Sequence, residues 1–254
     1  MVNLVYNFHV MSNTKILNKL KNQIIVSVQS SYLEPLYDEN VMIAMIKSVM
    51  SGGACGLRLA GERDIENARA IFPETPIIGI TKPKIIPKNF EELVYITPTM
   101  ADAGAVIQAG ADIVAFDGTM RKRPSNEKLS DIVDFIHKKN RLAMADISTF
   151  DEARNAVKLG CDIISTTLSG YTKESIEINT QLDKNPEEPD FRLLEVIVND
   201  KECNVPVILE GRLWEPSQVA KAFELGAFSV VIGSAITRPH EIVKRFIKKG
   251  LKHS

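Results

Sequence analysis

From residue 23 onward, short apolar runs alternate with longer segments in which apolar residues recur at helical spacing. The apolar runs are nearly continuous, which is typical of parallel strands covered on both faces. We predict eight strands, at residues 24–29, 56–60, 76–81, 113–117, 142–147, 163–168, 207–211 and 229–233. Helical segments accompany them at 39–50, 64–71, 100–109, 127–138, 149–159, 192–199, 216–225 and 239–248.

This repetition predicts the fold class. Eight strand–helix repeats favour an α/β protein built as a single (β/α)8 TIM barrel, because a doubly wound sheet usually stops at about five or six strands. Four of the helix-to-strand joints carry a glycine after the last helical turn, where a left-handed cap is expected: Gly53, Gly110, Gly160 and Gly226. The long insertion at residues 170–189 is predicted as a polar loop on the active-site side.

The domain boundaries follow from the same pattern. We place the barrel domain at residues 23–254, without an internal linker, and treat residues 1–22 as a short N-terminal extension outside the fold. The apolar stretch at residues 2–11 lacks the basic segment and the small-residue cleavage site of a signal peptide. Met11 is an alternative start of the protein.

Composition narrows the classes of protein and partner. The 254-residue chain has 31 lysines and arginines against 32 aspartates and glutamates, and 44% of its residues are hydrophobic. These values are typical of a globular protein and exclude a disordered or fibrous one. A net charge near zero gives no long-range attraction for nucleic acid, and no apolar run of about 18 residues is available to cross a membrane. Because Cys55, Cys161 and Cys203 form no spaced framework, we expect a cytoplasmic protein.

Polar side chains at the strand ends are the candidates for chemistry, since the active site of such a barrel lies where its strands end. For any one of them, exit of the strand into water explains a charge equally well. Five charges converging on one end of a closed barrel would solvate each other poorly, which favours a functional site. The candidates are Gln29, Arg58, Lys82, Asp117, Asp146, Thr166, Thr167, Glu210, Arg212, Gly233 and Ser234.

Lys82 and Glu210 are the strongest catalytic candidates. Lys82 precedes Pro83 at the end of the third strand, where it could serve as a proton-transfer base, a Schiff-base nucleophile or a phosphate partner. A neighbouring cation such as Arg58 would help a base by disfavouring its protonated form. Glu210 could form a structural ion pair with Arg58 or Lys82, or exchange protons with a substrate oxygen.

The last two strands carry the features of a phosphate site. Gly233 and Ser234 lead into a helical segment with Arg238 before Pro239, and free backbone N–H groups at a helix start bind anions. Close helix–strand packing is the structural alternative for these small residues. The three cations at 121–123 fit either a solvated loop or attraction of an anionic substrate. Histidines lack ligand spacing to cysteine or carboxylate, and HExxH, CxxC, GxSxG, Walker and GxGxxG patterns are absent, so we predict no metal site.

Several motifs carry a resemblance to a known family. The segments PIIGITK, MADIST, TTLSGYT, VILEGR and VIGSAITRP occur in this order between residues 76 and 239. In this combination the chain resembles the N-acylglucosamine-6-phosphate 2-epimerase family, from about residue 23 to residue 248. The resemblance implies a TIM barrel without metal or organic cofactor that interconverts N-acetylmannosamine 6-phosphate and N-acetylglucosamine 6-phosphate in sialic acid catabolism.

The resemblance also implies roles for individual residues. Lys82 and Glu210 correspond to the catalytic lysine and carboxylate. Substrate contacts fall on Gln29, Arg58 and Asp146, to which we add Thr166 from its place at a strand end. Phosphate contacts fall on Gly211, Arg212, Gly233, Ser234 and Arg238. The implied partner is a small-molecule sugar phosphate; the oligomeric state stays open, with a homodimer as one candidate.

Two alternatives to an epimerase remain at this stage. The same barrel and Lys82 could support a Schiff-base sugar-phosphate aldolase, or the chain could bind a sugar phosphate without turning it over. The presence of both Lys82 and Glu210 argues against an idle binding protein. Within the epimerase hypothesis, either one base serves both faces of the reacting carbon or two bases divide them.

Overall fold

Eight parallel strands close into a barrel in the computed structural model, which describes residues 12–251. Each strand pairs with its sequence neighbours, and β1 closes the barrel against β8 in the register Ile25 to Val231. All eight predicted strands are confirmed, as is the (β/α)8 class. The strands are β1 (Ile24–Val28), β2 (Gly56–Ala60), β3 (Ile77–Ile80), β4 (Ile113–Asp117), β5 (Leu142–Asp146), β6 (Ile163–Ser165), β7 (Val207–Glu210) and β8 (Ser229–Ile232).

The helices of the described chain surround this barrel or cover its ends. They are α1 (Asn13–Leu20), α2 (Glu39–Ser51), α3 (Glu62–Ile71), α4 (Met100–Ala109), α5 (Leu129–Lys138), α6 (Phe150–Lys158), α7 (Lys173–Gln181), α8 (Phe191–Val198), α9 (Pro216–Glu224), α10 (Ser234–Thr237) and α11 (Pro239–Gly250), with 3-10 turns at Phe90–Glu92 and Pro124–Asn126. The four glycines predicted as left-handed joints all have positive φ, between 86° and 110°.

The insertion after β6 differs from its prediction as a loop, because it contains helix α7. Thr172 caps this helix by accepting a hydrogen bond from the Ser175 N–H. Ser175 Oγ in turn accepts a hydrogen bond from the Thr172 backbone N–H, which completes a capping box with serine in place of the usual Glu or Gln. The helix is weakly amphipathic and polar in sequence, so its apolar spacing gave little signal.

Side-chain parity divides the barrel into an inner and an outer core. Alternate strand residues point inward, and Ile78, Met144 and Ile208 pack with each other inside the barrel. Their neighbours along the strands, such as Val207 and Leu209, pack outward against the helices. The inward positions therefore run from apolar residues at the bottom of the barrel to polar residues at its top.

Helix α1 closes the bottom of the barrel, which corrects the predicted boundary at residue 22. Ile16 and Leu20 are fully buried and belong to the inner core. A Cβ on Gly56 would lie 2.8 Å from the Leu20 side chain, so the start of β2 is shaped around this leucine. Ser12 caps the helix by accepting from the Lys15 N–H. Residues 12–22 thus belong to the packed body, whereas the alternative start at Met11 lies outside the described residues.

The lengths of the helices and the state of the cysteines bear on two further expectations. Across residues 12–251, no helix is both long and apolar enough to span a bilayer. Cys55, Cys161 and Cys203 are all free thiols, and the latter two are buried in the outer core.

Leu20→Ala tests the role of α1 as the barrel's lower plug. Loss of a fully buried leucine should lower the free energy of unfolding by about 2–5 kcal/mol, because the cavity at Gly56 cannot close completely. Chemical denaturation monitored by circular dichroism measures this change. Asn18→Ala, on the exposed side of the same helix, is the control and should change stability by less than about 0.5 kcal/mol. Equal effects would place α1 outside the cooperative fold.

Candidate active site

A cavity of about 640 Å³ opens at the carboxyl ends of the strands. Its walls come from the loops after β1, β3, β6, β7 and β8, and its floor from the last inward residues of the strands. Lys82 and Glu210 both line it, together with Gln29, Gly211, Arg212, Gly233, Ser234 and Arg238. The structure therefore brings together most of the residues that the sequence predicts as a site.

A buried arginine forms the centre of the floor. Arg58 of β2 points inward and is only 1% exposed. Its Nη2 lies 2.5 Å from Asp146 Oδ2 and its Nη1 3.0 Å from Asp146 Oδ1, while Nη1 also contacts Glu210 Oε2 at 2.7 Å. Burial alone would lower the pKa of Arg58, but the Asp146 and Glu210 carboxylates outweigh it and raise the pKa above its ordinary value. The guanidinium therefore stays charged.

The depth of this ion pair changes one prediction. Arg58 and Asp146 were expected to contact the substrate, but Asp146 is fully buried and neither residue lines the cavity. Because they lie one layer below the floor, their contacts are with Glu210 and Thr167 instead. In this structure the two side chains contact each other, Glu210 and Thr167.

Glu210 lies above Arg58, and hydrogen bonds fix one of its two carboxylate oxygens. Within the described chain, its side-chain hydrogen bonds all engage Oε2, from Arg58 at 2.7 Å and from Thr167 at 3.1 Å. Burial at the barrel mouth raises the pKa of Glu210 to about 7, although the Arg58 guanidinium opposes the rise. The group can thus gain or lose a proton near neutral pH.

Lys82 approaches from the opposite wall, on the loop after β3. Its Nζ donates to Gln29 Oε1 at 2.8 Å, and Gln29 Nε2 donates in turn to Ser27 Oγ at 2.7 Å. The Lys82 side chain is exposed to the space inside the cavity, and the surrounding cavity walls reduce its contact with bulk water. This desolvation lowers the pKa of Lys82 to about 8, and the Arg58 guanidinium adds to the effect by repelling the ammonium. A neutral amine is therefore available at mildly alkaline pH.

Two adjacent threonines after β6 make different contacts. Thr166 Oγ1 donates to the Glu210 carbonyl at 3.1 Å and accepts from the Glu210 N–H at 3.2 Å, so it links β6 to β7 outside the cavity. The Thr166 side chain does not line the cavity. Thr167 lines the cavity instead and touches both carboxylates. The alternation from Ile163 through Ser165 to Thr167 was the signal for an inward side chain.

Arg212 is held by backbone carbonyls on the opposite rim. It has a φ of 59°, directly after Gly211 with a φ of 110°. Its Nη1 donates to the Ser169 carbonyl at 2.7 Å and its Nε to the Glu188 carbonyl at 2.8 Å. The guanidinium also lies over the Tyr171 ring. Arg212 therefore ties the loops after β6 and β7 together at the cavity wall.

The residues predicted to bind phosphate after β8 lie together on the cavity wall. Gly233 and Ser234 begin the short helix α10, and Arg238 follows it at the cavity wall. Arg238 Nη2 is paired with the Glu34 carboxylate from the loop after β1. Its Nε is buried and has no hydrogen-bond partner within the described chain. One guanidinium donor is thus left unsatisfied beside the cavity.

The basic segment at 121–123 has a structural role that neither sequence interpretation included. Arg121 Nη2 contacts Asp117 Oδ2 at 2.6 Å, and Arg123 donates to the Asp117 carbonyl. Both arginines therefore fold back onto the end of β4, and Asp117 does not line the cavity. Within residues 12–251, no cluster of three or more His, Cys, Asp or Glu residues is arranged to hold a metal ion.

Comparison with known proteins gives consistent matches. Residues 42–252 match the family model described as "Putative N-acetylmannosamine-6-phosphate epimerase". A relative from Clostridium perfringens, named as a 2-epimerase for the same compound, is 44% identical over 231 residues, covering 91% of this chain and 97% of that protein. A relative of the same name from Caldanaerobacter subterraneus is 45% identical, covering 91% and 92%. The solved structure of the Clostridium perfringens N-acetylmannosamine-6-phosphate 2-epimerase superposes with a TM-score of 0.80 at 41% identity, covering 92% of this chain and 95% of that one.

Proposed function

Since the chain belongs to the N-acetylmannosamine-6-phosphate epimerase family, we propose that it interconverts N-acetylmannosamine 6-phosphate and N-acetylglucosamine 6-phosphate. The observation that carries this proposal is the placement of Lys82 and Glu210 on one cavity, each with a pKa near neutrality. The Schiff-base aldolase and the idle binding protein are not favoured, because the relatives are epimerases by name. A sugar phosphate is the expected substrate class.

The chemistry sets what the site must provide. The two sugars differ only at C2, which bears the acetamido group. Its hydrogen is acidic only when C1 is an aldehyde, so the enzyme acts on the opened sugar and stabilises an enolate. Removal of the C2 proton on one face and its return on the other inverts the carbon. Water can supply the exchanged proton through any titratable side chain involved.

Lys82 is the group that we propose moves the C2 proton. As a base it takes the proton in its neutral form, which its lowered pKa makes accessible. Gln29 accepts a hydrogen bond from Nζ and so fixes the direction of the amine. The Arg58 guanidinium below repels the ammonium and favours return of the proton to the enolate.

Glu210 is proposed to move the second proton, either on the sugar oxygen or on the opposite face of C2. Its Oε2 is anchored by Arg58 and Thr167. The remaining carboxylate oxygen is therefore held in a fixed direction, which is the requirement for oriented proton transfer. Arg58 also supplies a permanent positive charge below the site of the developing enolate.

The phosphate group would lie at the corner formed by Gly233, Ser234 and Arg238, with Gly211 and Arg212 beside it. This assignment is supported by the unsatisfied Arg238 Nε and by the free N–H groups at the start of a helix. Phosphate held there anchors the substrate at a distance from C2 and contributes orientation.

Location and assembly stay proposals. A place in sialic acid catabolism in the cytoplasm fits the family and the free cysteines. A homodimer is supported by α11, whose described residues are all at least partly exposed. Val243, Phe246, Ile247 and Leu251 form an exposed apolar face, and Phe246 is 74% exposed. An apolar face of this kind commonly marks an interface, and symmetric pairs are the commonest assembly.

The first prediction tests proton transfer by Lys82. Turnover of N-acetylmannosamine 6-phosphate in heavy water should place deuterium at C2 of the product, because a lysine ammonium exchanges with solvent. Lys82→Met keeps the unbranched stem without a titratable nitrogen, and we expect epimerisation to fall by at least about a hundredfold. Proton NMR measures both exchange and turnover.

Lys88→Met is the control for this experiment, since Lys88 is an exposed lysine of the same loop and does not line the cavity. Near-normal turnover by folded Lys82→Met would falsify the assignment. A product without solvent deuterium would point to internal return of the proton or to a reaction that leaves the C2–H bond intact. Single-turnover exchange into one epimer only, in Glu210→Gln, would favour two bases over one.

The pH dependence gives a second prediction. The active form carries one proton on the pair Lys82 and Glu210, so kcat/KM should be bell-shaped, falling below about pH 7 and above about pH 8. Below the bell both groups are protonated, and above it both are deprotonated. In Glu210→Gln the residual activity should keep only the rise with pH. That rise should be centred below about pH 8, because the Glu210 carboxylate raises the pKa of Lys82 in the wild type. A variant profile that still falls at high pH would contradict the assignment.

The phosphate corner gives a third prediction. Arg238→Ala should raise KM for N-acetylmannosamine 6-phosphate at least about tenfold, since a hydrogen bond from a charged group contributes about 1.5–3 kcal/mol. Any activity on unphosphorylated N-acetylmannosamine should be nearly unchanged. Arg192→Ala, at an exposed arginine of α8, is the matched control. Equal losses for both sugars would assign Arg238 to maintenance of the fold.

A further inference from the structure

The Thr167 hydroxyl lies between the two carboxylates at the floor of the cavity. Its Oγ1 is 2.7 Å from Asp146 Oδ1 and 3.1 Å from Glu210 Oε2, and the Ser165 hydroxyl lies 2.8 Å away. Arg58 Nη1 donates towards the same oxygen at 3.4 Å. Four polar groups therefore converge on a hydroxyl that has a single proton to donate.

This single proton can serve one carboxylate at a time. The two lone pairs of the threonine oxygen can accept from Arg58 and Ser165, which leaves the O–H for either Asp146 or Glu210. Asp146 is held by two Arg58 nitrogens whichever way the hydroxyl points. Glu210 accepts a hydrogen bond from only one Arg58 nitrogen, Nη1. The Thr167 hydroxyl is therefore one of two side-chain donors to Glu210 in the described chain.

Building on the proposed epimerase activity, we propose that Thr167 is a positioning residue whose hydroxyl proton follows the charge of Glu210. While Glu210 is ionised, the hydroxyl donates to Glu210 Oε2. Once Glu210 has taken a proton, the hydroxyl turns and donates to Asp146 Oδ1. Glu210 keeps its contact with Arg58 in both states, so its other oxygen remains directed at the substrate.

The electrostatic surroundings of Glu210 are consistent with this role. The charged groups that face it are Arg58 from β2, Asp146 from β5 and Lys82 from the loop after β3. Burial raises the pKa of Glu210, Arg58 lowers it, Asp146 raises it, and the Thr167 hydrogen bond and Lys82 lower it. Loss of the hydroxyl removes a donor to the charged form, and the pKa of Glu210 must then rise further.

Thr167→Val removes the hydroxyl and keeps the branched shape. We expect kcat to fall at least about tenfold with KM changed less than about twofold, and the low-pH limb of kcat/KM to move up by about one pH unit. Thr167→Ser restores the hydroxyl and should stay within about threefold of the wild type. Thr180→Val makes the same substitution on the exposed surface of α7 and should match the wild type.

A readout without turnover separates this inference from the proposed function. Carboxyl ¹³C NMR of glutamate-labelled protein follows the titration of Glu210, whose signal is assigned by its loss in Glu210→Gln. The titration midpoint should be higher in Thr167→Val than in the wild type, and Thr167→Ala gives the same test if the valine variant does not fold. An unchanged midpoint together with an unchanged pH profile would overturn the role of Thr167. Absence of C2 exchange in the wild type would instead overturn the proposed function, while the titration would still decide on Thr167.

Discussion

The burial of one guanidinium inside a closed barrel is the constraint on which the rest of the site depends. Arg58 is almost fully covered, and an unpaired charge in such a place would cost several kcal/mol. Asp146 and Glu210, from two other strands, neutralise it with contacts of 2.5–3.0 Å. Their net charge with Arg58 is −1 when both are ionised, so a single added proton balances the cluster. The floor of the cavity thus favours a carboxyl group that exchanges protons near neutral pH.

A second buried arginine, Arg69, shows how a guanidinium is paired where it has only a structural role. Arg69 lies near the other end of the barrel, where it contacts Asp112 at 2.5 Å. All its guanidinium nitrogens are used, because they also donate to the carbonyls of Gly110, Pro73 and Thr75. Arg58 in contrast has an Nε without a partner in the described chain and shares its nitrogens between two acids. The two clusters differ in their acceptors: Arg69 pairs with one acid and with backbone carbonyls, which cannot titrate, whereas Arg58 is shared between two acids.

Sequence patterns predict the strands, the barrel and the lining of the cavity, because apolar runs and strand ends are local features. They do not predict how far below the cavity floor a side chain lies. Whether Arg58 touches the substrate or lies beneath it depends on its register against Ser27 and Ile78 on the two neighbouring strands, which no single segment encodes. The parity that separates Thr166 from Thr167 was present in the sequence, but a strand as short as β6 (Ile163–Ser165) gives few residues from which to count. Helix α1 was not predicted because only two of its residues, Ile16 and Leu20, are buried, which is too few to give a helical pattern.

The two proton-transfer groups are supported by different parts of the barrel, which gives closure of the sheet a direct chemical consequence. Lys82 after β3 is oriented by Gln29 and Ser27 of the β1 side, whereas Glu210 of β7 is anchored by Arg58 of β2 and Thr167 after β6. Arg58 acts on both, since it anchors the carboxylate and repels the ammonium. A shift of β2 by one residue would turn Arg58 outward, removing the anchor of one group and the pKa shift of the other together. The closed register therefore couples the protonation of Lys82 to that of Glu210 through a charge that itself never titrates.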